Sequence, residues 1–349
     1  LHLLSRLSNN YHHLPTFYDF FDLILEYFSS FIRQNFKNIE IFYIFKQNKR
    51  ILLTLLTYGI IIPEESIYSI ISSKKYVDNY YIHYFLPEFQ EYISRTMIIK
   101  DDLSQTNFPE FESKRRIGED DHPICIIIRN DSIQKFIEYT DKNDFPLTSQ
   151  INLFDFETNT FLLKKKKLTL IEYAAFFGSI QIFKYLQMNE VELTPSLWLY
   201  AIHSNSFEMI HILEENNVAP NEKNSYLECF YESIKCHHNK IANYIQNLLL
   251  SPSEINKKEI LMKALKYYNF ELVLQNLSDL NIKDIFLSEN IDYIRLLYDI
   301  KPDKKTLLQY KESEISCLNN AIQKNKLEIV YLLFFRLYAD INKQFLVHM

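Results

Sequence analysis

Apolar residues recur three and four positions apart along most of the chain, the spacing that gathers them on one side of an α-helix. The first run is Phe17, Phe20, Phe21, Ile24, Leu25 and Phe28, which predicts a helix with one buried face. Ile41, Phe42, Phe45, Ile51, Leu52, Leu55 and Leu56 continue the pattern as far as Gly59, a residue suited to a helix stop. Pro63 with Glu64 and Glu65 predicts a new start, because proline fits the first turn and acids suit its positive end. Ile67, Ile70 and Ile71 supply its apolar side, and Pro87 marks a break before residues 88–93. Residues 1–94 therefore read as a helical N-terminal domain. Over 95–121 the period fades into charge, including Asp101, Asp102, Lys114, Arg115, Arg116, Glu119, Asp120 and Asp121, which predicts a linker.

From His122 onward one short pattern returns. Ala201-Ile202, Glu208-Met209-Ile210 and Leu213 are matched at the same internal spacing by Ala321-Ile322, Glu328-Ile329-Val330 and Leu333. Further copies carry Ala174-Ala175, Gln181-Ile182-Phe183 and Leu186, then Ser233-Ile234, Lys240-Ile241-Ala242 and Ile245. Weaker ones surround Ile127-Ile128 with Phe136, Ala264 with Leu272-Val273, and Ile285 with Ile294 and Leu297. Fixed internal spacing predicts helix-turn-helix repeats over 122–349, about six or seven units. A small residue in each first helix (Ala174, Ala201, Ser233, Ala264, Ala321) lets neighbours approach closely. Gly178, Asn205, His238-Asn239, Asn269, Asn290 and Asn325 mark the turns, where Gly and Asn tolerate left-handed backbone. Thr194-Pro195, Ser251-Pro252 and Pro302 predict caps of first helices.

The segment Thr169-Leu170-Ile171-Glu172-Tyr173-Ala174-Ala175-Phe176-Phe177-Gly178-Ser179-Ile180-Gln181-Ile182 resembles the ankyrin consensus at Ala174, Ala175, Gly178 and Ile182. Leu170 stands where proline is expected. Glu172 stands where the family has a histidine that ties neighbouring repeats, so that network is in question. The stretches Asn9-Asn10-Tyr11-His12-His13, residues 44–53, Asp121-His122-Pro123-Ile124 and Phe161-Leu162-Leu163-Lys164 also resemble divergent ankyrin proteins of protists. Those carry a helical N-terminal domain of unknown function before the repeats. The resemblance covers about 10–340 and implies a binding scaffold.

Composition removes several alternatives. Three glycines (Gly59, Gly118, Gly178), far apart, build no Gly-rich phosphate loop and supply few hairpin turns. A net charge of −6 lacks the basic footprint of general nucleic-acid binding. Four cysteines without a C-x-x-C pair suit reduced thiols and a cytoplasmic protein. No stretch of 18 uncharged apolar residues predicts a membrane span. The chain opens on Leu1, which leaves room for a native N-terminus further upstream. The abundance of Phe, Tyr, Ile, Asn and Lys follows AT-rich codons and carries no functional weight.

Cys229, Cys236, His237 and His238 are metal-type residues, but their spacing matches no structural zinc pattern, and they read as core or turn. His12-His13 lack partners at ligand spacing. Lys164 to Lys167 read as a solvated loop before an import signal or lipid contact. Trp198, the sole tryptophan, falls on a core position. No catalytic motif, cofactor or metal is expected.

The sequence thus predicts an all-α protein, a helical domain followed by an ankyrin-like array. It would bind an unidentified partner protein on the concave repeat face, by its first helices and inter-repeat loops. Asn189, Glu190, Glu192, Asn216, Asn217, Asn221, Glu222 and Lys223 are the expected contact residues. The rival readings are an N-terminal ligand-binding or catalytic domain with the repeats as targeting arm, and a self-associating scaffold with an open apolar end at Phe334, Phe335 and Leu337. The oligomeric state stays open.

Overall fold

A computed structural model describes residues 1–10, 15–73, 81–96, 108–152, 156–165, 167–220, 225–275, 282–288, 290–299, 304–323 and 329–333. Among them the chain is mostly helical. Its one two-stranded antiparallel ladder pairs Gln150–Ile151 with Leu168–Thr169. None of the described helices is long and apolar enough to cross a membrane. The chain divides into two compact units, Leu1–Cys229 and Phe230–Met349.

The first unit opens with helices His2–Asn10, Pro15–Tyr27, Ser29–Asn35, Asn38–Phe45, Lys49–Thr57, Glu65–Ile71, Tyr81–Tyr84 and Gln90–Thr96. Phe21, Leu25, Phe45, Leu55, Ile67, Phe85 and Phe89 lie in its core. Asn48 starts Lys49–Thr57, its side chain accepting from Ile51 N and donating to the Ser8 carbonyl. Gly59 stands two residues past that helix at φ +60°. Two expectations are corrected here. Phe20 and Phe28 are exposed, because Pro15–Tyr27 meets Lys49–Thr57 through the side bearing Phe21 and Leu25. Within the expected linker, Phe108–Ile117 is a helix whose Phe111 joins the N-terminal core and whose Arg115 is fully buried. Charge there marks an internal ion pair instead of a solvated chain.

The remainder is built of helix pairs. Pro123–Arg129 with Ile133–Lys142, Leu170–Phe177 with Ile180–Met188, and Leu197–Ser204 with Phe207–Glu215 complete the first unit. First helices pack on first helices through 123–129, 170–177 and 197–204. Tyr226–Lys235, within which the division falls, is followed by Asn239–Tyr244 and a π-helical turn, Ile245–Leu249. The second unit continues with Lys257–Tyr267 and Phe270–Gln275, Ile282–Leu287 and Ile291–Asp299, and Lys304–Gln323. The small residues Ala174, Ala201, Ser233, Ala264 and Ala321 are all inaccessible, and Ile182, Leu186, Met209, Leu213, Ile241, Ile245 and Leu333 are buried.

The turns are chemically specific. Asp131, Gly178, Asn205, His237 and Tyr268 take left-handed backbone. Gly178 needs it most, because a Cβ there would meet Ser204 Cβ at 3.3 Å. Asn269, expected in that role, leaves it to Tyr268 and reaches back to the preceding pair. Three residues immediately before a second helix do the same thing. Ser179 Oγ donates to the Ile128 carbonyl (2.6 Å), Asn269 Nδ2 to Ile234 (2.9 Å) and Asn290 Nδ2 to Leu265 (2.7 Å). The Asp131 carboxylate accepts from Gln181 N and Ile182 N, both at 3.0 Å. Ser251-Pro252 forms its own turn with Glu254, and Asn256 caps Lys257–Tyr267 in its place.

Candidate interaction surface

Two of the expected contact loops share one construction. Asn189 closes Ile180–Met188, its Nδ2 donating to the Tyr185 carbonyl at 2.8 Å. Glu190 then turns left-handed (φ 59°), and buried Val191 returns its N–H to Leu186 at 3.1 Å. Asn216 closes Phe207–Glu215 by the same bond to Ile212 (2.7 Å), Asn217 turns (φ 53°), and Val218 N–H returns to Leu213 at 2.9 Å. Gln187 Nε2, in the last turn of Ile180–Met188, donates to Asn216 Oδ1 at 2.6 Å and ties that helix to the second loop, while Lys184 pairs with Glu208 at 2.8 Å across the same helices. Asn189 and Asn216 therefore use their amides to build the loops. Glu190, Glu192 and Asn217 are exposed. Asn221, Glu222 and Lys223 lie outside the described residues, as do His12, His13, Phe334, Phe335 and Leu337.

Glu172 answers the question raised by the missing histidine. Its carboxylate accepts from Thr169 N (3.1 Å) while Thr169 Oγ1 accepts from Glu172 N (3.3 Å), a reciprocal cap at the helix start. The same carboxylate accepts from Ser196 Oγ of the next pair at 3.0 Å and from Lys165 Nζ at 2.5 Å. A glutamate thus makes a tie between neighbouring pairs.

The first helices are less available than the sequence implied. In Leu170–Phe177 only Phe177 keeps appreciable exposure, and in Leu197–Ser204 only Leu199 and Ser204 do. The chain's own segment 156–165 contributes to this cover. Phe161 stacks on Phe176 (5.9 Å between ring centres, 14° between planes) and meets Tyr200 at 5.2 Å and His203 at 4.1 Å. Leu162 is fully buried, and the Lys165 ammonium sits 5.2 Å from the Tyr200 ring centre. Trp198 is buried on its core position, its indole N–H donating to the Val218 carbonyl. The role of Phe161 carried no periodic signal, because it lies in an irregular segment.

A second surface was also missed. Phe20, Leu23, Tyr27 and Phe31 are 58%, 65%, 83% and 60% exposed. Of these only Phe20 belonged to the run expected in the core, and helical period reports a shared side and not whether a neighbour covers it.

A few titratable groups are internal. Arg115 Nη1 donates to Glu88 (2.7 Å) and the Tyr84 carbonyl (3.0 Å), Nη2 pairs with Glu112, and Tyr84 OH donates to the Arg115 carbonyl (2.8 Å). Glu157 is buried, and burial pushes its carboxyl up to about 7, with Asp120 and Glu119 adding to the rise. Its Oε1 accepts from Asn159 N, and its Oε2 has no partner among the described residues. Burial raises the Cys125 and Cys236 thiols, and it lowers His237, whose Nε2 lies 2.9 Å from the Tyr267 carbonyl. A small void in the N-terminal core is lined by apolar side chains such as Phe42, Leu52, Ile67 and Phe89.

No family model, no curated protein and no solved structure matches the chain.

Proposed function

We propose that the chain is a non-catalytic scaffold of ankyrin-like helix pairs that binds a partner protein through its inter-repeat loops. The observation that carries this reading is the pair of loops at Asn189–Glu192 and Asn216–Val218. Each is closed by its own amide cap, and Gln187, in the last turn of the helix that leads into the first loop, donates to Asn216 of the second at 2.6 Å. Loops ordered before binding lose little conformational freedom on binding, so their exposed Glu190, Glu192 and Asn217 form an acidic and polar contact edge at low entropic cost. Buried inter-pair bonds and inaccessible small residues give those loops a fixed base, as in repeat proteins that vary surface residues on a constant core. The N-terminal helices form a second module whose exposed aromatic side chains extend the same role. The buried thiols Cys125, Cys229, Cys236 and Cys317 suit a reducing compartment, and we place the protein in the cytoplasm on that ground.

The test is affinity capture from a native extract with the full chain, wild type against Glu190→Lys/Glu192→Lys. A discrete protein retained by wild type and lost with the reversed charges supports the loop edge. Equal retention by both, or no retained protein, overturns it.

A further inference from the structure

Segment 156–165 is attached to the helices it covers in the manner of a docked ligand. From 159 onward its backbone bonds are internal. Asn159 Oδ1 accepts from Phe161 N and Leu162 N, Leu163 N donates to the Asn159 carbonyl, and Lys165 N donates to the Leu162 carbonyl. From 159 to 165 the described backbone makes no hydrogen bond to helices 170–177 or 197–204. What reaches those helices is side chains. Phe161 enters between Phe176, Tyr200 and His203, Leu162 is fully buried, and Lys165 pairs with Glu172 over the Tyr200 ring. Upstream, the segment is held by Thr158, whose N–H and Oγ1 both donate to the Gly118 carbonyl at 3.0 and 2.7 Å.

The groups left behind if the segment leaves are those of a recognition site. Phe176, Tyr200 and His203 form an aromatic trough with one acidic group at its edge, and aromatic side chains of this kind are enriched at binding hot spots. Glu172 keeps Thr169 N and Ser196 Oγ as donors when Lys165 departs, so its carboxylate is not stranded.

We propose that this trough is a peptide-binding site closed in cis by segment 156–165, and that its partner presents an aromatic residue followed four positions later by lysine or arginine. The proposal rests on the protein-binding reading and names the partner's chemistry. A partner segment with the same spacing places its ring in the trough and its cation on Glu172. The tethered segment competes with it. At an effective concentration of about 1 mM, against an intrinsic dissociation constant of about 10 μM, the competitor weakens trans binding about a hundredfold.

The experiment is fluorescence anisotropy of a labelled peptide of residues 156–165 with the full chain. The chain is wild type or carries Phe161→Ser/Lys165→Ser, and buried Trp198 emission reports that each protein is folded. The expected result is binding by the double variant about a hundredfold tighter than by wild type, abolished when the peptide itself carries Phe161→Ser. No binding by a folded double variant, or equal binding of the Phe161→Ser peptide, overturns the proposal and leaves the segment a structural brace. If the double variant does not fold, Lys165→Glu in the full chain takes its place. It should raise peptide affinity about tenfold, and no rise overturns the proposal. If the peptide fails while loop-dependent capture stands, only this inference falls. If capture fails too, the scaffold reading falls with it.

Discussion

Asn269 and Ile234 lie in successive helix pairs and are joined by a 2.9 Å hydrogen bond from the amide Nδ2 to the backbone carbonyl. The same side chain accepts from Leu272 N at 3.3 Å, so one buried amide caps its own helix and holds the previous one. Asn290 repeats the tie to Leu265, and Ser179 makes it with a hydroxyl to Ile128. Asn269→Ala removes one of two donors from the Ile234 carbonyl, which keeps His237 N, and the cap from Leu272 N, which costs about 1–2 kcal/mol. Urea unfolding followed by helical circular dichroism measures it. An unchanged midpoint would show that the tie carries no stability.

Arg115 is a fully buried cation of the first unit, held by Glu88, Glu112 and the Tyr84 carbonyl. Arg115→Ala removes a fully buried side chain and leaves the half-buried Glu88 without its cation, while Glu112 stays in reach of water, and is expected to destabilise by about 3 kcal/mol. Arg115→Lys recovers little of that, because one ammonium cannot reproduce the planar fork. Thermal melts of both variants decide between these expectations, and full recovery by lysine would show that charge alone matters.

Glu157 gives the first unit a pH signature. Its folded value of about 7 lies above its ordinary 4.5, so the folded state holds the proton more tightly than the unfolded one. That contribution is complete below about pH 4.5 and is lost as pH rises through 7. It amounts to about 3 kcal/mol at most. Glu157→Gln, which keeps an acceptor for Asn159 N, should flatten the fall and be the more stable protein at pH 8. Parallel slopes for the two proteins between pH 5 and 7.5 would remove Glu157 as the cause.

The exposed stripe of Phe20, Leu23, Tyr27 and Phe31 should bind hydrophobic dye. Leu23→Lys/Tyr27→Lys is expected to lower dye fluorescence severalfold with a melting temperature unchanged within a few degrees, since neither side chain is in the core. A large drop in melting temperature would place the stripe in the folded core after all.

The helix pairs and their core were legible in the chain itself. A residue every three to four positions fixes the inward side of a short helix, and Ala174, Ala201, Ala264 and Ala321 recur where only a small side chain permits close packing. The Thr169–Glu172 cap is written in four consecutive residues, and the turn at Gly178 in one. These features depend on neighbours within a turn or two of helix, so local sequence determines them.

Only the tertiary structure decided which apolar sides are covered and which charges are buried. Phe20 and Phe21 differ by one position, yet only Phe21 faces Lys49–Thr57. Arg115 looked like linker because its partners Glu88 and Tyr84 stand 27 and 31 positions earlier. Phe161 sits in an irregular segment, and its place against Phe176 and His203 follows from how two helix pairs meet. Periodicity records the geometry of one helix, whereas burial is a property of two surfaces, and the second surface is set by residues far away in the chain.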